Sequence, residues 1–244
     1  MNIQEVKKHF ISWPKLIKEK AISIYIYGSV ARNDNDAESD CDILVCIDDC
    51  SNEEYHQLKA TVQELQEVYK YEFAFYQLSV LQAMCQKGSY FLWHIKTEGV
   101  LLYQRDSSIE ALLNNLCTYT GTLNDLLEYS EILNDIKISI EEDELAFEYD
   151  LSVLATLARN ICIASCFLIG QMDFGRTTPI TKCMHYWKSD FPFSLDEYTK
   201  LYKYRIFNTR RISPKIHPPT KEYILHWHKK ISILLSLALS LCQI

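Results

Sequence analysis

The sequence predicts an α+β protein, with a mixed sheet and packed helices in its first part and a helical bundle in the rest. Within the first 105 residues, four short runs of apolar, β-branched and aromatic residues are typical of strands, and amphipathic segments separate them. After Arg105, long helical periodicities replace the strand alternation. We therefore predict two domains, one over residues 1–105 and an all-helical one over residues 106–244.

The predicted elements of the first domain alternate between helices and strands. An amphipathic N-terminal segment should be interrupted at Pro14, because proline has no backbone N–H to donate. Ser51 or Asn52, followed by Glu54, is typical of a capped helix start. Helices are predicted over residues 2–20, 52–69 and 80–95, and strands over residues 21–27, 41–48, 71–79 and 99–103.

The second predicted domain consists of helices. Its segments with helical periodicity are residues 107–117, 120–139, 142–169, 178–188, 195–207 and 220–242. No segment is expected to reach the length of a membrane span. The apolar run at the C-terminus is too short for one and contains serines.

The most informative stretch is residues 21–47, where two predicted strands flank a glycine turn and a polar loop. Gly28 and Ser29 end the first strand, where exposed N–H groups and a hydroxyl can hold phosphate oxygens. Asp40 and Asp42 stand one residue apart at the start of the second strand, so their side chains point the same way. Adjacent carboxylates raise each other's pKa unless a cation lies between them, and oxygen ligands favour Mg²⁺ or Mn²⁺.

This arrangement resembles the signature of the DNA polymerase β-like nucleotidyltransferase superfamily. The text GSVAR followed by SDCDILV is especially similar to minimal nucleotidyltransferases and to aminoglycoside and lincosamide nucleotidyltransferases. Those sequences often have Gly where this chain has Asn33, and Asn tolerates a left-handed backbone nearly as well. The resemblance implies transfer of a nucleotidyl group from a nucleoside triphosphate, with ATP as the expected donor, to an acceptor hydroxyl with Mg²⁺ or Mn²⁺.

The resemblance also implies roles for individual residues. The expected catalytic residues and metal ligands are Asp40, Asp42 and Glu72. The expected nucleotide-binding residues of this domain are Gly28, Ser29 and Arg32. Glu72 begins an otherwise apolar strand, and in the family a third carboxylate, often a Glu that serves as general base, comes from such a strand. The alternative is that Glu72 is an exposed carboxylate at a strand end, as Glu most often is.

A basic and aromatic stretch extends from Lys200 to Lys230 in a chain that is acidic overall. It holds nine Lys or Arg residues against one acid, Glu222. Because basic residues neutralise phosphates and aromatic residues stack on bases, Lys203 and Arg205 are predicted to bind the nucleotide. The whole stretch is a candidate surface for RNA or a protein partner. The alternative is a solvated helix face whose Lys side chains cover the core.

Two other functions are also consistent with the sequence. One is an antitoxin-like or protein-modifying partner protein that has the nucleotidyltransferase fold. Another is a nuclease in the helical domain, because Arg211 and His217 resemble the Arg–His pair of HEPN ribonucleases, although Pro214 disfavours a regular helix there. Residues 173–176 (DFGR) are interpreted as an ordinary helix end.

The composition narrows the class of protein. A formal net charge of −7 argues against a general nucleic-acid coat protein. The nine cysteines lie mostly in apolar runs and have no zinc-like spacing. Their odd number and the absence of a signal peptide predict reduced thiols and a cytoplasmic location.

Overall fold

The computed structural model describes residues 1–36, 39–142, 146–210 and 219–242. The chain divides into two compact units, Met1–Thr120 and Gly121–Ile244. The first unit thus extends beyond the boundary that the sequence predicts after residue 105. The physical reason is that Ile109 and Leu113, in the helix after the last strand, are buried in the core of the first unit.

A four-stranded mixed sheet forms the centre of the first unit. Its strands are β1 (Ala21–Tyr27), β2 (Cys41–Ile47), β3 (Tyr71–Gln77) and β4 (Val100–Gln104). The spatial order is β3-β2-β1-β4, with β1 antiparallel to both β2 and β4 and with β2 parallel to β3. All four predicted strands are present, and the predicted edge strand is β4. A parallel pair needs a crossover connection, and helices between β2 and β3 supply it.

The helices of the first unit are shorter and more numerous than the sequence predicts. They are α1 (Ile3–Phe10), α2 (Lys15–Lys20), α3 (Gly28–Arg32), α4 (Asn52–Thr61), α5 (Gln63–Tyr69), α6 (Leu78–Lys87), α7 (Tyr90–Glu98) and α8 (Ser108–Asn114). The helix predicted over 52–69 is interrupted at Val62, and the one predicted over 80–95 is divided by Gly88, whose φ of 73° is left-handed. The capping box of Ser51 and Glu54 at the start of α4 is confirmed.

Different helices cover the two faces of the sheet. Ile43 and Val45 of β2 pack on one face in a core with residues of α1, α2 and α4. Leu44 and Cys46 pack on the other face with residues of α6, α7 and α8. This alternation follows from the two-residue period of a strand. It also determines the face on which the polar end of β2 places its carboxylates.

The second unit is helical in the part of the chain that the structure describes. Its helices are α9 (Thr122–Glu142), α10 (Phe147–Leu168), α11 (Thr178–Trp187), α12 (Leu195–Arg210) and α13 (Lys221–Leu241), with a short 3₁₀ turn at Lys188–Asp190. The α10 helix packs against α9, α11, α12 and α13. By length and composition α10 could cross a membrane, contrary to the sequence expectation, but most of it is buried in the core of this unit.

Residues 173–176 lie within the connection between α10 and α11 and do not end α10. The α10 helix ends earlier, before Gly170 with φ 71°. The Asp173 carboxylate accepts hydrogen bonds from Gly175 N at 2.9 Å and Thr178 Oγ1 at 2.5 Å, and it pairs with Lys182. The segment is therefore a turn held by Asp173. All nine cysteines, each within the described ranges, are free thiols.

Candidate active site

The predicted carboxylates lie at one end of the sheet. Asp42 of β2 is in register with Glu72 of the parallel strand β3, so the two side chains are on the same face. Across the antiparallel pair, Asp42 faces Tyr27 of β1. Asp42 is half-buried, whereas Asp40 and Glu72 are exposed. The sequence places the two aspartates together, and the sheet register brings Glu72 to them.

The glycine turn after β1 lies directly against this carboxylate pair. Gly28 has a φ of 69°, and a Cβ added there would lie 2.1 Å from Oδ2 of Asp42. Both the backbone conformation and the lack of space therefore require glycine at this position. The close approach places the start of α3, with Gly28 and Ser29, beside the Asp42 carboxylate.

The three carboxylates influence one another electrostatically. Burial, followed by repulsion from Glu72 and Asp40, raises the pKa of Asp42 to about 6, and the positive charge of Arg32 acts in the opposite direction. Excess negative charge is thus concentrated around a half-buried side chain. Among the residues that the structure describes, however, no three His, Cys, Asp or Glu side chains form a group that could hold a metal ion by themselves.

Arg32, the last residue of α3, already has protein partners. Its Nη1 donates to Glu98 at 2.7 Å, and its Nε donates to Asp34 at 3.2 Å. Burial acts to lower the pKa of Arg32, but the bonds to Glu98 and Asp34 outweigh it and the pKa is raised. Asn33, which follows, has a φ of 60° and ends the helix in the left-handed conformation expected from the sequence. Residues 37 and 38 of the predicted polar loop lie outside the described residues.

Sequence reasoning did not identify the aromatic side chains beside the carboxylates. Burial, and then the negative charge of Asp42, raise the pKa of Tyr27, with smaller contributions from Tyr76 and Glu72. The Tyr27 ring packs edge-on against Phe91 at a centroid distance of 5.5 Å. The signal that could have found Tyr27 is its place at the end of β1, opposite Asp42 in an antiparallel pair.

In the second unit, the described residues of the predicted basic stretch are exposed only in part. Lys203 is exposed on α12, and the guanidinium carbons of Arg205 and Arg176 lie 5.6 and 5.5 Å from the ring centroid of Tyr202. Tyr204 and Trp227 are buried in the core and cannot stack on bases from there. The roles predicted for Lys203 and Arg205 stay predictions.

Several charges of the stretch are already paired. Lys200 pairs with Asp196 at 2.7 Å, and Lys230 pairs with Glu197. Lys200 is exposed, as the solvated-face interpretation requires, whereas the Lys230 side chain is only 15% exposed and lies over the Trp227 ring. Arg211 and His217, the basis of the nuclease hypothesis, lie outside the described residues.

The sheet order, the glycine turn against an aspartate and the paired strand-end carboxylates define a nucleotidyltransferase-type α+β fold followed by a helical unit. Residues 14–108 match the family model described as polymerase beta, nucleotidyltransferase. This part of the chain is therefore a polymerase β-type nucleotidyltransferase domain, which confirms the resemblance drawn from the sequence. The match covers less than half of the chain, so the identification applies to this domain. No curated protein sequence matches it significantly.

One solved structure matches nearly the whole chain and not only this domain. The chain is similar to the spectinomycin adenyltransferase AAD(9) from Enterococcus faecialis, crystallised with ATP and spectinomycin, at 14% identity and a TM-score of 0.51. That match covers 96% of this chain and 99% of the other. A toxin–antitoxin structure with AMP-PNP matches at 20% identity over 54% of this chain and 98% of its own, but its TM-score of 0.32 is too low to support a comparison. The α+β fold is thus confirmed.

Proposed function

We propose that this chain transfers a nucleotidyl group from a nucleoside triphosphate to an acceptor hydroxyl and that the reaction depends on a divalent metal ion. The observation that carries the proposal is the in-register pair of Asp42 and Glu72, with Gly28 in contact with Asp42. A phosphate-binding turn and a set of carboxylates on one face are what in-line displacement at a phosphorus atom requires.

The carboxylates fit a hard divalent cation. Burial, and then repulsion from Glu72 and Asp40, raises the pKa of Asp42 to about 6. A bound cation would remove this repulsion, and when bound it neutralises triphosphate charge and polarises the reacting phosphate. Because the described residues form no complete cage, we propose that Asp40 and Asp42 bind the ion together with phosphate oxygens of the nucleotide, with Glu72 as a third ligand or as the base.

The remaining side chains have roles that follow from their chemistry. Ser29 and the backbone at Gly28 would donate hydrogen bonds to phosphate oxygens, and Arg32 would supply positive charge at the end of the same short helix. Glu72 is exposed at the strand end, where its carboxylate would accept the proton of the acceptor hydroxyl. Lys203 and Arg205 would contribute further charge toward the nucleotide.

ATP is the donor to test first, because the adenyltransferase of similar fold was crystallised with ATP. The acceptor hydroxyl would belong to a small molecule, a protein or an RNA end. The alternative of an antitoxin-like protein that retains only nucleotide binding predicts binding without transfer.

Calorimetry with ATP, GTP, CTP and UTP, with Mg²⁺ or with chelator, tests the first step. We expect binding of at least one nucleotide that is lost in chelator. Equal binding of all four nucleotides in chelator would refute the metal-dependent site. A screen of candidate acceptors with α-labelled nucleotide would then identify what becomes labelled.

A further inference from the structure

Outside the carboxylate site, the first unit contains a compact charged cluster that connects α3 with α7. Glu98, the last residue of α7, accepts a hydrogen bond from Arg32 at 2.7 Å. Nε2 of His94, one helical turn earlier, lies 3.1 Å from the same Oε2 atom of Glu98 and 3.4 Å from Nη1 of Arg32. The side chains of Arg32, His94 and Glu98 are only 18%, 17% and 13% exposed.

The position of Glu98 on its helix is unfavourable by itself. Partial negative charge accumulates at the C-terminal end of a helix, so a carboxylate in the last turn is destabilising unless cations compensate for it. Arg32 provides that compensation, and His94 adds a further hydrogen-bond donor. Unlike an exposed ion pair, which contributes little, this pair is shielded from solvent and from salt.

The α3 helix joins this charged cluster to the active-site turn. The α3 helix has only five residues, too few to be stable as an isolated helix, so packing and hydrogen bonds must fix its position. Its first residue, Gly28, meets the Asp42 carboxylate, and its last residue, Arg32, is held by Glu98. A shift of Arg32 would therefore also move the turn that lies against Asp42.

We infer that Glu98, supported by His94, is a positioning residue that acts through Arg32. It holds the Gly28–Arg32 turn beside the carboxylates in the position that the reaction requires. The inference rests on the proposed function, since it concerns the same site. Glu98 contacts Arg32 directly. It acts by orienting the guanidinium, and its own effect therefore depends on the presence of Arg32.

A double-mutant cycle separates this role from a merely structural one. The variants are Glu98→Gln, Arg32→Gln and their combination, with kcat and KM for the nucleotide measured at constant Mg²⁺. We expect Glu98→Gln to lower kcat about tenfold with a smaller change in KM, and to lower it no further in the Arg32→Gln background. Glu54→Gln is the matched control, because Glu54 pairs with Lys20 on the opposite side of the sheet, and its kcat should equal that of wild type.

Several outcomes would overturn the inference. An equal loss from Glu98→Gln in both backgrounds would show that Glu98 does not act through Arg32. Tighter nucleotide binding with unchanged kcat would show that Glu98 competes with the nucleotide for Arg32. If Glu98→Gln does not fold, His94→Gln replaces it, and a two- to threefold loss of kcat that disappears with Arg32→Gln supports the inference, whereas equal losses refute it. An inactive wild type would instead refute the proposed function itself.

Discussion

At the scale of single residues, Asp42 connects the electrostatics of the site with the stability of the fold. Its folded-state pKa of about 6 is above its ordinary value of 3.8. The folded state therefore binds the proton more tightly than the unfolded state does. Protonation of Asp42 therefore stabilises the folded state below about pH 4, and this contribution is lost as the pH rises to about 6.

Asp42→Asn should therefore stabilise the metal-free protein at neutral pH while abolishing transfer. Because the amide cannot ionise, we expect the free energy of unfolding at pH 8 to rise by about 1–3 kcal/mol, from roughly 1.4 kcal/mol per pKa unit. At pH 4 the difference from wild type should disappear. Denaturant unfolding at both pH values checks this, and a variant less stable than wild type at pH 8 would contradict the electrostatic account.

One variant distinguishes whether Glu72 is a general base, a metal ligand or a solvated strand end. Glu72→Gln keeps the shape of the side chain but cannot accept a proton. If Glu72 is the general base, single-turnover transfer should fall about 10²–10⁴-fold while metal-dependent nucleotide binding stays unchanged. Binding and transfer should fall together if it is mainly a metal ligand. An unchanged rate would show that Glu72 is only a solvated strand end.

At the scale of elements, the short helix α3 depends on the residue that ends it. Asn33 has a φ of 60°, a conformation that costs most residues with a Cβ about 1–2 kcal/mol and costs glycine nothing. Asn33→Gly should therefore leave the melting temperature and the transfer rate close to wild type, whereas Asn33→Val should lower both. Equal behaviour of the two variants in thermal unfolding would mean that the left-handed helix end is unimportant.

The elements show which parts of the fold can be predicted from sequence. Each strand is a short apolar run with turn residues at its ends, so its existence was predictable. The helix predicted over residues 80–95 is divided at Gly88, a residue type that commonly ends helices. The predicted boundary after residue 105 differs from the division of the chain after Thr120, because Ile109 and Leu113 of α8 pack in the core of the first unit.

The site was predictable only where its residues are close in sequence. Gly28, Asp40 and Asp42 belong to one stretch of the chain, so spacing alone indicated their chemistry. The pairing of Glu72 with Asp42 depends on strand register, which two-residue periodicity cannot fix between separate strands. The contact of Arg32 with Glu98 joins residues 66 positions apart and leaves no pattern in the sequence.

At the scale of the whole molecule, a nucleotidyltransferase domain is followed by a helical unit built around α10. The residues of the basic stretch illustrate the limit of composition as a guide. Trp227 and Tyr204 look like stacking groups in the sequence, but they fill the core, and Lys230 is paired with Glu197. Charge and aromatic content alone could not separate a binding face from a buried one.

The central claim is that the carboxylates of the first unit carry out metal-dependent nucleotidyl transfer. Its most direct test is pyrophosphate release and acceptor labelling from α-labelled ATP by wild type and by Asp40→Asn/Asp42→Asn, each with Mg²⁺ or chelator. Asp190→Asn, at an exposed position in the second unit, is the control. We expect labelling by wild type and by the control only with Mg²⁺, and a loss of at least about 10³-fold in the double variant. Labelling by the double variant at the wild-type rate, or undiminished labelling in chelator, would contradict the claim.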